Sequence, residues 1–521
     1  MSIKSHNRRE FIRAGAAGLA GITLFMNAKG GSVAVGDNNE PFPELVEATI
    51  ADLQRKMKSG QLTSRRLAEM YLERIRQVDL KTRSVIEINP DALAIADQLD
   101  RERRKGRVRS TMHGIPVLIK DNIDTADKMM TTAGSLALVG APTPKRDAFV
   151  VERLRKAGAV IIGKTNLSEW ANFRGSRSVS GWSGRGGQTN NPYFLDQNPC
   201  GSSSGSGVAV SANLAAVAIG TETNGSIICP AVTNGVVGIK PTLGLISRSG
   251  IIPIAHTQDT AGPMARTVTD AAILLGAMIG RDKTDSVTNV AEKKAAKDYT
   301  KFLDAEGLKG ARLGIAMQFT TRPEMKAYFQ PFIETLRGSG ATLIDVTFTP
   351  DYSKIGNDRT SVLLYEFKAG LNKYLAARGA KYKTLEELIR FNEENKDKEL
   401  TKFGQELFLQ AQEKADLNDQ GYLDALAKIR RATREEGIDA VTNNLDAIVS
   451  PTSGATWSIA AVAGYPYITV PTGLRENTAT GFAFWGRPFT EPQLIKYAYA
   501  FEQKTKGRVP PQFLPTYPKK A

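Results

Sequence analysis

The sequence predicts an α/β protein, and three observations carry that reading. A chain of 521 residues, 41% hydrophobic and 24% charged, is globular and long enough for two or three domains or for one large α/β domain. Short apolar runs rich in Val and Ile alternate along it with amphipathic helical stretches. In the stretch 198–231, two turns dense in glycine and hydroxyl residues are separated by one apolar segment, Ala216-Val-Ala-Ile219. Glycine beside serine lets the backbone approach a ligand closely, and N–H groups freed in such a turn can stabilise a developing oxyanion.

In chain order, Arg8-Arg9-Glu-Phe-Ile-Arg13 leads into a weakly apolar run over 14–25, which resembles a twin-arginine export signal, and Ser32-Val33-Ala34 offers a small-x-small cleavage site. Residues 1–34 are therefore expected to be an export signal and the mature protein to be periplasmic or secreted. The run is shorter than the roughly 20 apolar residues of a membrane span, and nothing later is apolar enough, so no stable span is expected after export. Residues 44–58 and 63–78 read as amphipathic helices, the second starting at a Thr63-Ser64 cap. Val85–Ile88 is a strand and 90–104 a charged helix. Lys120 ends an apolar strand, directly after Val117-Leu-Ile119, which favours a desolvated amine. Asp121 and Asp124 would oppose a lowered pKa if they faced it. A helix over 147–156 and a strand over 159–162 follow, and the first glycine-serine turn opens a small-residue helix over 208–214. Residues 352–442, charged and rich in Lys and Glu, form a helical elaboration, at the entrance to a site or as a remote cover. Glu491–Thr505 is a C-terminal amphipathic helix, with a loose tail after Val509.

Charge and cysteine content exclude some classes. The net charge is +15, part of it in the N-terminal tail, and the remaining basic residues are dispersed among acids without an aromatic-interleaved stripe. That is a solvated face and not a nucleic-acid footprint. Two cysteines make no disulfide framework and no Cys/His cluster suggests metal; Cys200 and Cys229, flanking the two turns, are expected to be small core residues.

Two motifs mislead. Gly158-Ala-Val-Ile-Ile-Gly163-Lys164-Thr165 matches the P-loop pattern, yet its variable positions are themselves a β-forming run and a helix precedes them. Gly201-Ser-Ser203-Ser-Gly205 matches the nucleophile elbow, whose base is a histidine, but the only histidines are His6, His113 and His256, none placed to follow the usual acid. If serine is the nucleophile here, lysine is the better base.

Several further blocks occur together. Pro199-Cys-Gly-Ser202-Ser-Ser-Gly-Ser and Gly220-Thr-Glu-Thr-Asn-Gly-Ser226 lie downstream of His113-Gly-Ile-Pro and Lys120-Asp-Asn-Ile. With Gly163-Lys-Thr-Asn166, Asn190-Asn-Pro192, Gly238-Ile-Lys-Pro-Thr242, Gly262-Pro-Met-Ala-Arg266 and Gly464-Tyr-Pro466, they resemble the amidase signature family over about 44–515. Trp182–Thr189, Cys200 and Leu363–Gly370 are most similar to its bacterial peptide amidase branch. The resemblance implies one domain built on a large mixed β-sheet covered by helices on both faces. It implies a catalytic set of Lys120, Ser202 and Ser226, with Ser226 as nucleophile, Ser202 on a cis peptide as relay and Lys120 as terminal base. The backbone N–H groups of Thr223, Asn224, Gly225 and Ser226 would form the oxyanion hole, with no metal or organic cofactor. It also implies a peptide or small-molecule amide as substrate, with removal of ammonia from C-terminally amidated peptides as the expected reaction and two alternatives: a general small aliphatic or aryl amide hydrolase, and the amidase component of a glutamyl-tRNA amidotransferase. An exported protein does not meet charged tRNA, which weighs against the last. Cys200-Gly201 stands where the family has Gly-Gly, and Glu222-Thr-Asn-Gly-Ser226 where it has Asp-x-Gly-Gly-Ser. The segment between Thr452 and Gly464 is short, which bears on the pocket rim.

The export reading makes a direct prediction. Replacing Arg8 and Arg9 with Lys leaves precursor in the cytoplasm of a twin-arginine-competent host, measured by cell fractionation; normal export of that variant overturns it.

Overall fold

The computed structural model describes residues 42–320 and 322–518; the export signal expected over 1–34 lies outside them. The frame is an eleven-stranded sheet. Its strands, numbered in chain order, are β1 (Val85–Ile88), β2 (Pro116–Lys120), β3 (Val160–Thr165), β4 (Val217–Glu222), β5 (Val237–Lys240), β6 (Thr260–Ala265), β7 (Arg312–Ile315), β8 (Thr342–Asp345), β9 (Ala447–Pro451), β10 (Tyr467–Arg475) and β11 (Thr478–Trp485). In space they run β1-β3-β2-β4-β6-β5-β10-β11-β9-β7-β8. The sheet is mixed: β3, β2 and β4 are parallel, as are β9, β7 and β8, while the ladder from β4 to β9 is antiparallel.

Successive residues of a strand point to opposite faces, so a strand buried at every residue has both faces covered. Strands β2 to β6 are buried throughout, which explains their continuous Val/Ile/Ala runs. This is the large mixed sheet with helices on both faces that the sequence led us to expect.

Local chemistry sets the element ends. Thr63 accepts the Arg66 N–H at 3.0 Å and starts the helix Ser64–Thr82. The first helix starts at Ile50, later than the expected residue 44, because Thr49 is extended and forms a capping box with Asp52. The helix expected over 208–214 begins earlier, at Ser204, and ends at Ser211. Gly205 there admits the backbone of Ser84 and Asn166 so closely that a Cβ would collide with both. The P-loop look-alike folds as the strand foreseen: Lys164 is fully buried, donating to Ile123 O at 2.5 Å and Thr131 Oγ1 at 2.9 Å, and holds no phosphate loop.

The residues after β8 form helices Gly356–Arg378, Leu385–Glu394, Glu406–Gln412 and Gln420–Thr433. Gln420–Thr433 packs in a smaller cluster with Ile355, Val362 and Val462, while the first three share a second core with the body, including Trp170, Phe173, Phe367, Leu371, Leu388 and Phe408. Arg174, wholly buried, ties the two together: its guanidinium pairs with Glu169 and Glu399, donates to Phe403 O at 3.0 Å and lies 4.1 Å from the Phe403 ring centroid. Burial and the neighbouring Glu399 carboxylate raise the Glu169 carboxyl well above its ordinary value, against the opposing pull of Arg174.

The C-terminal helix spans Glu491–Thr505 as expected, but the segment beyond Val509 is not loose. Leu195 N–H donates to Leu514 O at 2.8 Å and Leu514 N–H to Tyr193 O at 3.1 Å, while Tyr517 packs edge-on against Phe194. Phe513 and Tyr517 are partly buried there while Leu514 is held by its backbone and stays exposed, which a proline-rich reading of the tail overlooked. No helix among the described residues is long and apolar enough to cross a membrane.

Candidate active site

Strands β2 and β4 are adjacent and parallel, with Val117 opposite Val217 and Ile119 opposite Ile219. Their carboxyl ends therefore deliver Lys120 and the pair Thr221-Glu222 to the same edge of the sheet, where parallel strands open a crevice. Lys120 is fully buried. Its Nζ lies 2.7 Å from Ser202 Oγ, 2.9 Å from Thr221 Oγ1, 3.1 Å from Ser203 Oγ and 3.3 Å from Thr221 O. Asn122 Nδ2 donates to the same Thr221 Oγ1 at 3.0 Å. Sequence reasoning assigned no role to Thr221 or Asn122; both sit one or two residues from motif positions, and their sharing of one hydroxyl depends on strand pairing.

Ser202 follows a cis peptide bond from Gly201 and precedes the helix Ser204–Ser211. Ser203 is a structural link: its hydroxyl donates to Thr221 O at 3.0 Å and accepts Thr221 N–H at 3.1 Å, deep in the interior. With its hydroxyl committed to β4, it is no elbow nucleophile. His113 is buried against Leu99 O, and His256 lies 3.3 Å from a Glu366 carboxylate oxygen, so neither reaches a serine; His6 lies outside the described residues.

Ser226 ends the turn that leads from β4 into the helix Ile228–Thr233. Its carbonyl accepts the Ser203 N–H at 3.1 Å, which docks the Ser226 turn on the Ser202 turn. Gly225 turns at φ +78°, and a Cβ there would strike the Trp457 indole, so this glycine is required twice over. Among the described residues, the N–H groups of Thr223, Asn224 and Ser226 donate to no protein acceptor, while that of Gly225 faces the Glu222 carboxylate. Glu222 also accepts the N–H groups of Ile227 at 2.7 Å and Ile228 at 3.0 Å. The longer Glu at this position therefore pins the start of the helix behind Ser226. Thr223 Oγ1 donates to Asp259 at 2.5 Å, and Asp259 accepts the Ile254 and Ala255 N–H groups at 2.8 and 2.9 Å.

Burial dominates the electrostatics. Desolvation lowers Lys120 from the usual lysine range to about 7, opposed by the carboxylates of Asp259 and Glu222. The acids expected to oppose it, Asp121 and Asp124, are engaged elsewhere. Asp121 takes Thr132, the Gly134 N–H and Arg185, and Asp124 takes Tyr374 and Arg378. Both carboxylates are committed to partners other than the amine, which residue order alone does not reveal. Desolvation also raises Asp259 to about 6, offset in part by its bond from Thr223.

A family model for amidases matches residues 66–459. The chain belongs to the amidase signature family. It is 50% identical to the peptide amidase of Stenotrophomonas maltophilia, whose solved structure superposes with a TM-score of 0.87 over 91% of this chain and all of that one. It is 45% identical to a probable amidase of Arabidopsis thaliana, covering 90% of this chain and 92% of that one. It is also 33% identical to a component of the glutamyl-tRNA(Gln) amidotransferase of Thermoanaerobacter pseudethanolicus, covering 90% and 99%. The protein is an amide hydrolase.

Beside the turn 223–226 this amidase has a cavity of about 310 Å³. Thr221, Thr223 and Asp259 line its inner end, Ile252 and Pro253 one wall, and Gly370 and Tyr374 of the helix Gly356–Arg378 its outer side. The helical elaboration thus stands at the entrance.

One expectation fails here. Cys200 and Cys229 are not free core residues; they form a disulfide, with Cα atoms 5.9 Å apart. Cys200 is two residues before Ser202 and Cys229 three after Ser226, so the bond staples together the turns carrying the two serines. The cysteines are 29 residues apart in sequence, and only the docking of the two turns makes them neighbours. Thiol titration of the native amidase should find no free cysteine. Cys200→Ser with Cys229→Ser should lower stability by about 2–4 kcal/mol in denaturant unfolding and should lower kcat before the fold is lost. Two titratable thiols in the untreated protein would contradict the staple.

Proposed function

We propose that this amidase releases ammonia from peptides bearing a C-terminal carboxamide, using Ser226 as nucleophile, Ser202 as proton relay and Lys120 as general base. The observation that carries the mechanism is the 2.7 Å contact between Lys120 Nζ and Ser202 Oγ inside a fully buried pocket. A lysine lowered to about 7 is substantially neutral at physiological pH, so it accepts a proton where an ordinary lysine donates. Ser226 Oγ attacks the amide carbon as its proton moves to Ser202 and the Ser202 proton moves to Lys120. The carbonyl electrons go to oxygen, where the turn 223–226 supplies N–H donors. Return of the proton through Ser202 to the amide nitrogen breaks the C–N bond and frees ammonia, leaving an acyl ester on Ser226. Water, deprotonated along the same route, splits that ester into the acid and free Ser226.

The substrate assignment draws on the likeness to the Stenotrophomonas peptide amidase and on two segments typical of that branch. Trp182–Ser183 pairs with Gly187–Gln188 as a small ribbon, held to the Ser202 side by the Gly181 N–H donating to Ser168 at 2.9 Å. Leu363–Gly370 lies on the helix at the entrance, where Gly370 lines the cavity and Glu366 accepts the Thr257 N–H at 3.0 Å.

Two experiments test this reading. On the mechanism, kcat/KM should be flat at alkaline pH, where the folded-state amine is neutral, and fall about tenfold per pH unit below about 7 as Lys120 takes up a proton. Lys120→Arg, which cannot deprotonate, should lose at least about 10²-fold. Ser226→Ala should abolish turnover and fluorophosphonate labelling, whereas Ser203→Ala should keep the label on Ser226; near-normal turnover by Lys120→Arg ends the general-base role. On the substrate, acetylated dipeptide amides should release ammonia, with internal peptide bonds and Asn or Gln side-chain amides left nearly untouched. Turnover of simple aliphatic amides without peptide amides would favour the small-amide alternative.

A further inference from the structure

The same cavity carries an uneven charge distribution that bears on which peptide amides it takes. Three acids line it, and each already holds partners within the protein. Asp285 is clamped by Arg248, which reaches it through Nε at 2.9 Å and Nη2 at 2.5 Å. Asp259 accepts Thr223 and two backbone N–H groups, and Glu222 accepts the N–H groups behind Ser226. The cations are not all satisfied. Arg146, in the loop before the helix Phe149–Ala157, and Lys373, on the helix Gly356–Arg378, both line the cavity and are both exposed. Among the described residues neither makes a hydrogen bond or ion pair.

Two unpaired cations thus reach one cavity from two separate elements, at its solvent end, while Glu222 and Asp259 are held beside the turn 223–226 and Asp285 is neutralised by Arg248. Between them runs an apolar wall that includes Ile251, Ile252 and Pro253. A ligand complementary to this arrangement puts its neutral amide at the inner end, apolar atoms along the wall and an anion at the mouth. We infer that the amidase prefers peptide amides with an Asp or Glu side chain in the residues preceding the carboxamide, recognised by Arg146 and Lys373. This rests on the peptide-amide reading above and specifies its substrate class. Both cations are solvated, so each contributes as an exposed ion pair does, weakly and in a salt-dependent way. Because they meet the substrate far from the reacting carbon, the effect belongs in KM and not in kcat.

The test compares ammonia release from acetyl-Glu-Phe-amide, acetyl-Gln-Phe-amide and acetyl-Lys-Phe-amide, with the reversed dipeptides as a second set, in low and high salt. For the native enzyme the Glu peptide should show a KM about three- to tenfold below its Gln counterpart in one of the two sets at low salt, shrinking towards parity at high salt. In the double variant Arg146→Glu, Lys373→Glu the order should invert, with the Lys peptide bound best. The readout is a ratio between substrates in one sample, so any loss of folded enzyme cancels. Equal KM values for Glu and Gln peptides in both sets, or an order unchanged in the double variant, overturn the inference and leave the peptide-amide reading standing. No ammonia from any peptide overturns that reading and this inference with it.

Discussion

The burial of Lys120 at the carboxyl end of β2 is the constraint on which the rest of the site depends. An ammonium ion buried at a sheet edge is costly unless its charge is matched by partners or given up. Here both remedies operate in part. Three hydroxyls and a carbonyl surround the nitrogen, and two carboxylates at longer range favour the cation, yet desolvation prevails and brings the amine to about 7. With only the hydroxyls around it, the amine would fall lower and become a poorer base; a direct carboxylate contact would keep it charged. Asp121 and Asp124 are instead paired with Arg185 and Arg378, and the carboxylates that act on the amine are Asp259 and Glu222.

Around that lysine, each buried polar group has a positional task. Ser203 locks the Ser202 turn to β4, Glu222 gathers the N–H groups behind Ser226, and Asp259 holds Thr223. Lys240, buried on β5 and lowered to about 8 by desolvation, contributes attraction to the Glu222 carboxylate. Satisfied buried networks of this kind rigidify the groups they connect. The departures from the family pattern read differently in that setting. Glu222 reaches the N–H groups that it accepts because it is one methylene longer than Asp. Asn224, where glycine is usual, is itself tethered by Ser458, which donates to its side-chain oxygen at 2.8 Å.

The substrate side is built from later parts of the chain. The helical elaboration is anchored through the buried Arg174 and its two carboxylates, and one of its helices forms the outer side of the cavity. The helix Gly454–Ala463 supplies Trp457, which packs on Gly225 from the other side. The short connection between Thr452 and Gly464 therefore has a contact of its own with the turn 223–226. The Lys120 cluster and the cavity walls thus come from different stretches of sequence that meet at one sheet edge.

The chain by itself determined the elements and the chemistry. Local signals such as the Thr63 cap, the buried Val/Ile runs and the glycine-rich turns act over a few residues, so the first four strands, many of the helices and the segments holding Lys120, Ser202 and Ser226 were legible before any fold was known, whereas the strands from β5 onward were not anticipated. The two false motifs could also be dismissed from residue order. What required the tertiary structure was every relation between segments far apart in sequence. The partners of Asp121 and Asp124, the sharing of Thr221 between Lys120 and Asn122, the anchoring of the tail by the Tyr193 segment and the joining of Cys200 to Cys229 all follow from strand pairing and turn docking. Side-chain direction and through-space distance are properties of the packed sheet, and a residue's type and its neighbours in the chain do not encode them singly.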